Sequence, residues 1–124
     1  MSPAGGEARL VIETIARRDQ VRDFAAAIGQ SDSGRVPTTF AIRWLTDPRI
    51  VALVSGLAHD RPGALPVHEL QTITQLRGLP LDCPLTMHVE ARRTDDIHVT
   101  IDATVEQAPG EPVAVMHSLL RLMA

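Results

Sequence analysis

The chain has 124 residues and a formal net charge of -3, with 44% hydrophobic and 22% charged residues. This length predicts one domain, over residues 1–124, that is large enough to bury a substantial core. The acidic balance and the presence of only two Phe, one Trp and no Tyr exclude the usual features of nucleic-acid binding, a basic surface with stacking aromatic side chains.

Further features exclude several kinds of site. The single cysteine, Cys83, rules out an internal disulfide and a multi-cysteine metal site. The chain has no Lys, Asn or Tyr, so a Schiff-base lysine or a tyrosine acid is unavailable. No apolar run approaches the ~20 residues that span a bilayer, and the start lacks a basic segment followed by an apolar one. We therefore expect a cytoplasmic protein that uses no metal and no other cofactor and has no membrane partner.

The first third of the chain predicts one strand and one helix. Residues 1–7 contain Pro and Gly and are expected to form a flexible terminus. Residues 8–15 are rich in β-branched side chains and predict a strand. Apolar residues at helical spacing after Asp19 predict a helix, and Gly29 is typical of a helix end.

The most apolar stretch, residues 37–57, predicts a central helix. Thr38 or Thr39 can cap its start. Pro48 cannot continue a helix without losing a hydrogen bond, so we expect a break near Asp47 and a second segment after it. Because a helix that is apolar on nearly all sides cannot lie on a surface, a sheet is expected to wrap it.

The second half predicts antiparallel strands. Residues 67–76 form a plausible strand with mixed alternation, and two prolines interrupt the chain after it. Three further strands follow, with turns near residues 94–96 and 108–111. Their alternation of apolar and polar side chains is typical of a half-buried meander. The predicted fold is α+β: a curled antiparallel sheet wrapped around a central helix.

Four short stretches occur in an order that resembles a known family. Residues 21–29 read v-x-x-F-A-x-A-x-G, and residues 36–40 are similar to a-P-P-T-F. His68 with residues 79–81 is similar to an H…r-P-l segment, and residues 107–113 to q-x-G-x-x-V. Together they cover nearly the whole chain and resemble the MaoC-like dehydratases and (R)-specific enoyl-CoA hydratases, which have the hotdog fold.

The chain departs from this family at the catalytic motif. Active members carry G-D-x-N-P-x-H after the F-A-x-A-x-G helix, and the Asp and His act together on water or on the leaving hydroxyl. Here the stretch reads GQSDSGR, with Gln30 in place of the acid and Arg35 in place of the histidine. Neither a neutral amide nor a guanidinium can act as a general base.

The resemblance implies where an acyl thioester would bind. In such proteins the N-terminus of the central helix polarises the thioester carbonyl, as backbone N–H groups and the helix dipole allow. The substrate-binding residues expected from this are Thr38, Thr39, Arg43 and His68. Asp32 and His68 are weak candidates for catalysis, because Asp32 lies in a turn-like SDSG sequence and His68 can serve a structural hydrogen bond.

Other polar residues suggest weaker hypotheses. Arg43 can pair with Asp47 or face a bound anion. Asp60, beside His59, offers a carboxylate such as a thioesterase uses, and Cys83 is expected to be a small buried thiol. The remaining candidates are His88 and His98, which can approach each other across neighbouring strands, and His117, expected to be a satisfied polar residue.

Two functional readings remain open at this point. The preferred one is a MaoC-like subunit that lacks the catalytic pair and supports a catalytic dehydratase or hydratase while binding an acyl-CoA or acyl-carrier-protein thioester. The alternative is a self-sufficient enzyme with relocated groups, either a hydro-lyase or an acyl-CoA thioesterase. A non-catalytic acyl-binding or assembly module is a third, simpler option. Hotdog sheets pair edge to edge, and the apolar last strand suits burial there, so we expect a homodimer or a heterodimer with a related subunit.

Overall fold

The computed structural model describes residues 6–29 and 36–123, apart from the side chain of Thr38. It contains five strands and three helical segments: β1 (Glu7–Ile15), α1 (Arg18–Ala27), a 3₁₀ helix (Thr38–Thr46), α2 (Pro48–Leu57), β2 (Leu65–Gln75), β3 (Pro84–Arg93), β4 (His98–Ala108) and β5 (Glu111–Met123). The predicted order of elements is therefore confirmed. None of the helices in the described ranges has the length and apolar character needed to cross a bilayer.

The strands form one antiparallel sheet in the order β1-β3-β4-β5-β2. The meander of β3, β4 and β5 is confirmed, since consecutive strands pair throughout. The sheet is open, with β1 and β2 at its edges. The expectation that the last strand would lie at a pairing edge is wrong, because β5 is enclosed between β4 and β2.

The core lies between the sheet and the helical segments. On β3 and β4 every second side chain is buried, which is the period expected of a strand with one covered face. Phe40, Ile50 and Val54 from the helical segments complete this core. We call this face of the sheet the helix side and the opposite face the outer side.

The central segment divides at Asp47, as its sequence predicts. Residues Thr38–Thr46 form a 3₁₀ helix, whereas the sequence had suggested an α-helix. Pro37 occupies the N-cap position and has no side-chain acceptor, so the expected threonine cap is wrong. Asp47 caps α2 instead, accepting a hydrogen bond from the Arg49 backbone N–H at 2.8 Å.

The sheet cradles α2 on one side. Ile50 and Val54 point into the core, while Val51, Ala52 and Gly56 are exposed. The fold class predicted from the sequence is confirmed, with the addition that the open sheet leaves the outer surface of α2 uncovered in the single chain.

Candidate functional site

The edge strand β2 presents polar side chains to the helix side. His68, Gln71 and Gln75 are half-buried there, whereas the neighbouring strands present almost only apolar residues. Gln71 pairs in register with Ser118 of β5, which is fully buried. We call His68, Gln71, Gln75 and Ser118 the polar strip.

The outer side of the first part of the same strand is apolar. Leu65, Val67 and Leu70 are 68%, 46% and 53% exposed. We call these three residues the outer apolar row. A strand on a monomer's surface normally buries its apolar side and exposes its polar side, so residues 65–71 of β2 have inverted polarity. Contiguous exposed apolar side chains are a common feature of surfaces that contact another molecule.

His68 is held by neutral partners. Its Nδ1 lies 2.5 Å from Ser118 Oγ and 3.0 Å from Gln71 Nε2. An amide nitrogen only donates, so Nδ1 accepts and the neutral ring carries its proton on Nε2. Burial lowers the pKa of His68 from its ordinary value, which favours this neutral form.

The Nε2–H of His68 has no hydrogen-bond partner among residues 6–29 and 36–123. The ring can therefore donate a hydrogen bond to a carbonyl or hydroxyl oxygen. The structural hydrogen bond expected for this histidine is present, and its geometry also leaves a donor available.

Arg93 is the other polar residue buried on the helix side, and all five of its N–H groups have acceptors. Nε donates to the Asp95 carbonyl at 2.8 Å, and Nη1 donates to the Leu57 carbonyl and to Asp60 Oδ1, both at 2.8 Å. Nη2 donates to Asp60 Oδ2 at 3.3 Å and to the Asp96 carbonyl at 2.5 Å. Arg93 thus joins the C-terminus of α2 to the turn between β3 and β4.

This network corrects the hypothesis for Asp60. Its carboxylate is paired with Arg93, and the hydrogen bond from that guanidinium lowers its pKa. His59 is not oriented by Asp60, since its Nδ1 contacts the Gly56 carbonyl at 3.2 Å. Asp60 therefore has a structural role and is not free to activate water.

The start of the 3₁₀ helix lies above an aromatic cluster. Phe40 makes edge-to-face contacts with Phe24 and Trp44, at 5.5 and 5.9 Å between ring centroids. Thr39 is exposed, and Arg43 lies 5.0 Å from the centre of the Phe40 ring. This helix packs on β2, the strand that carries the polar strip.

The expected pairing of Arg43 with Asp47 is wrong. Asp47 pairs with Arg49, with Nη2 and Oδ2 3.0 Å apart, and this hydrogen bond lowers the pKa of Asp47. Arg43 instead makes a cation–π contact with Phe40.

Residues 30–35 lie outside the described residues. Asp32, the candidate acid, and Gln30 and Arg35, which replace the family's catalytic pair, belong to this segment. The structural position of the altered motif is therefore not described.

The remaining histidines belong to separate ion pairs. His88 faces Thr104 in register and lies 3.4 Å from Glu106, while His98 begins β4 opposite Arg121. The hypothesis that His88 and His98 meet is wrong for this reason.

His117 is satisfied as predicted, with Nδ1 2.7 Å from an Asp102 oxygen. Cys83 is half-buried. Within the described part of the chain no three His, Cys, Asp or Glu side chains form a group that could hold a metal ion.

His68 could be predicted from the sequence, but the rest of the polar strip was missed. Gln71 and Gln75 lie in the strand whose alternation was mixed, and that irregularity was the available signal. Ser118 could be found only from the register between β2 and β5.

No family model and no curated protein sequence matches the chain. Solved structures do match it. The C-terminally truncated HadBC (3R-hydroxyacyl-ACP dehydratase) complex from Mycobacterium tuberculosis is 18% identical, with a TM-score of 0.71 over 97% of this chain and 98% of that one.

Two further structures extend the comparison. A mutant of the fluoroacetyl-CoA-specific thioesterase FlK is 12% identical, with a TM-score of 0.72 over 97% and 87% of the two chains. The smu.793 protein from Streptococcus mutans, bound to acetyl-CoA, is 14% identical, with a TM-score of 0.64 over 100% and 86%. At such identities the likeness concerns the fold.

Proposed function

We propose, from the hotdog fold that this chain has, that it is a MaoC-like cytoplasmic subunit without a catalytic pair of its own. It binds an acyl thioester, attached to coenzyme A or to a carrier protein, and supports a catalytic dehydratase or hydratase partner. The HadBC complex supports this proposal, since that structure is a 3R-hydroxyacyl-ACP dehydratase complex and aligns with almost the whole chain.

The observation that carries the proposal is the state of His68. Hydration of an enoyl thioester needs a group that takes a proton from water and a group that returns one. His68 is the only titratable member of the polar strip, its described partners are the neutral Ser118 and Gln71, and its open nitrogen is already protonated. Such a ring can orient a substrate oxygen but cannot accept a proton from it.

The thioester carbonyl is assigned to the start of the 3₁₀ helix. A 3₁₀ helix leaves its first backbone N–H groups without acceptors inside the helix, and its first described bond runs from Phe40 N to the Pro37 carbonyl at 3.0 Å. The N–H groups of Thr38 and Thr39 are thus suited to a partial negative charge. Arg43 is assigned to the carrier's phosphate or carboxylate groups.

The partner is assigned to the β2 edge. An edge strand of eleven residues offers unpaired backbone groups to a second sheet, and the outer apolar row lies beside them. A related hotdog subunit with an intact Asp/His pair fits this edge, and a second copy of this chain would form the corresponding homodimer.

Crotonyl-CoA hydration tests the proposal directly. We expect no turnover by this chain alone, and turnover when it is mixed with a MaoC-like protein encoded by a neighbouring gene. Native mass measurement of each protein and of the mixture should show a heterodimer. Turnover by this chain alone, at the rate of the mixture, would contradict the proposal.

A self-sufficient enzyme is the second candidate, favoured by the TM-score of 0.72 with the thioesterase FlK. In that case Asp32 would be the acid, because Asp60 is paired with Arg93. Hydrolysis of acyl-CoA, or hydration of crotonyl-CoA, by the isolated chain would then be abolished in Asp32→Asn. Unchanged activity in this variant would exclude that assignment.

A further inference from the structure

The sides that residues 70–75 of β2 face are set by one irregularity in its register. His68 pairs with Leu120 and Leu70 pairs with Leu119, so Glu69 is an extra residue without a partner of its own on β5. An extra residue of this kind is a β-bulge, and it changes which side the following residues face.

The bulge places the polar strip on the helix side. In a regular strand, Leu70 and alternate residues after it would share the side of His68. Instead Gln71, Ile73 and Gln75 pair with the buried residues Ser118, Met116 and Ala114. Without the bulge, Gln71 would turn away from His68 and Leu70 would turn inward.

Hydrophobic burial hardly distinguishes the two registers. The observed register half-buries Ile73 and exposes Leu70, and the regular register would exchange these two aliphatic side chains. The other residues that would exchange sides are all polar. Gln71 and Gln75 face the helix side in the observed register, and Thr72 and Thr74 would face it in the regular register. Register is weakly specified in such a strand, so modest local contacts can decide it.

Glu69 supplies contacts of this kind. One oxygen lies 3.5 Å from Arg121 Nη1 and the other lies 3.4 Å from His98 Nε2. The opposite ring nitrogen of His98 is 2.9 Å from Asp95. The bulge in β2 is thereby connected to β5 and to the turn that precedes β4.

We propose that Glu69 is a positioning residue, whose contacts with Arg121 and His98 hold the bulge and so build the polar strip against which a thioester would bind. The functional part rests on the proposed role of the strip. The structural part concerns only which side of the sheet Leu70 and Gln71 face.

The test compares Glu69→Gln with Glu90→Gln in the full chain. The two glutamates are matched: each is on a strand, their side chains are 34% and 35% exposed, and each makes two ion pairs, but only Glu69 is at a bulge. Nuclear magnetic resonance of the His68 ring nitrogens reports whether Ser118 and Gln71 still contact Nδ1. Amide hydrogen exchange reports the opening of residues 70–75.

We expect Glu69→Gln to shift the His68 ring signals and to speed exchange over residues 70–75 by about two- to fivefold, the size of an exposed ion pair. Glu90→Gln should change neither. Equal responses in the two variants, or no response in Glu69→Gln, would overturn the proposal.

Deletion of Glu69 gives a second, independent measurement. Without the extra residue, His68 and Leu70 are consecutive in a regular strand, so the Leu70 methyl groups should stay accessible to a soluble paramagnetic relaxation agent, and they would become protected if the bulge assignment is wrong. Acyl-CoA binding by Glu69→Gln is measured separately. Changed ring signals with unchanged binding would refute the role of the strip and leave the bulge assignment intact.

Discussion

Arg93 and His68 occupy opposite ends of one row across the sheet. The register connects His68 to Leu120, Leu120 to Val99, and Val99 to Arg93, so all four side chains lie on the helix side. Arg93 has an acceptor for each N–H and is fully buried, whereas His68 is half-buried and keeps an open Nε2–H. A buried polar residue can therefore complete the fold or leave a donor for a ligand, and the number of its hydrogen-bond partners distinguishes the two cases.

The largest effect on stability is expected when Arg93, the fully paired end of this row, is replaced. Arg93→Ala should lower the free energy of unfolding by about 2–4 kcal/mol, because it leaves the carbonyls of Leu57 and Asp96 without their donor. Chemical denaturation measures this. The neighbouring Arg92 is exposed and makes only surface ion pairs, so Arg92→Ala should cost under about 1 kcal/mol. Equal losses of stability in Arg93→Ala and Arg92→Ala would show that the buried network of Arg93 contributes no more than exposed ion pairs do.

A smaller effect of opposite sign is expected at Gln75. Its Oε1 is buried without a hydrogen-bond partner among the described residues. Gln75→Leu should therefore stabilise the isolated chain by about 1 kcal/mol, because an unsatisfied acceptor is replaced by an apolar group of similar size. Gln71→Leu is the matched control and should destabilise, since Gln71 contacts His68. A loss of stability in Gln75→Leu would show that this oxygen is satisfied in solution.

The smallest effect concerns the pH dependence of stability. Burial holds the pKa of His68 below its ordinary value of 6.5, so the unfolded chain binds a proton first as the pH falls. The stability that neutral His68 confers is complete above pH 6.5 and is lost as the pH falls through the lower pKa of the folded state. We therefore expect the free energies of unfolding of the wild type and His68→Gln, measured by denaturation above and below this pH, to become more similar as the pH falls. The exposed His59→Gln serves as the control, and an equal change there would mean that burial of His68 is not the cause.

Regular elements could be predicted from the sequence because their causes are local. The alternation on β3 and β4 fixed both their strand character and their buried side, and Asp47-Pro48 determined where the central segment breaks. The 3₁₀ geometry before that break differs from the expected α-helix, and nothing in the structure explains it.

The candidate site was harder to predict from the sequence because the residues that form it are far apart in the chain. The pairing of Asp60 with Arg93 joins residues 33 positions apart, and that of His68 with Ser118 joins residues 50 apart. The bulge at Glu69 reverses the sides of the β2 residues that follow it, without a recognisable sequence signal. His68 itself was found through the family resemblance, whereas Gln75 and Ser118 were not found.

The outer apolar row has a consequence for how the cell must supply this protein. Three exposed aliphatic side chains beside an unpaired edge strand are the kind of surface that chaperones and proteases recognise. In the proposed heterodimer, a chain made in excess of the subunit that covers this row would be degraded or would precipitate. Balanced synthesis of the two proposed subunits would then set how much of either one persists.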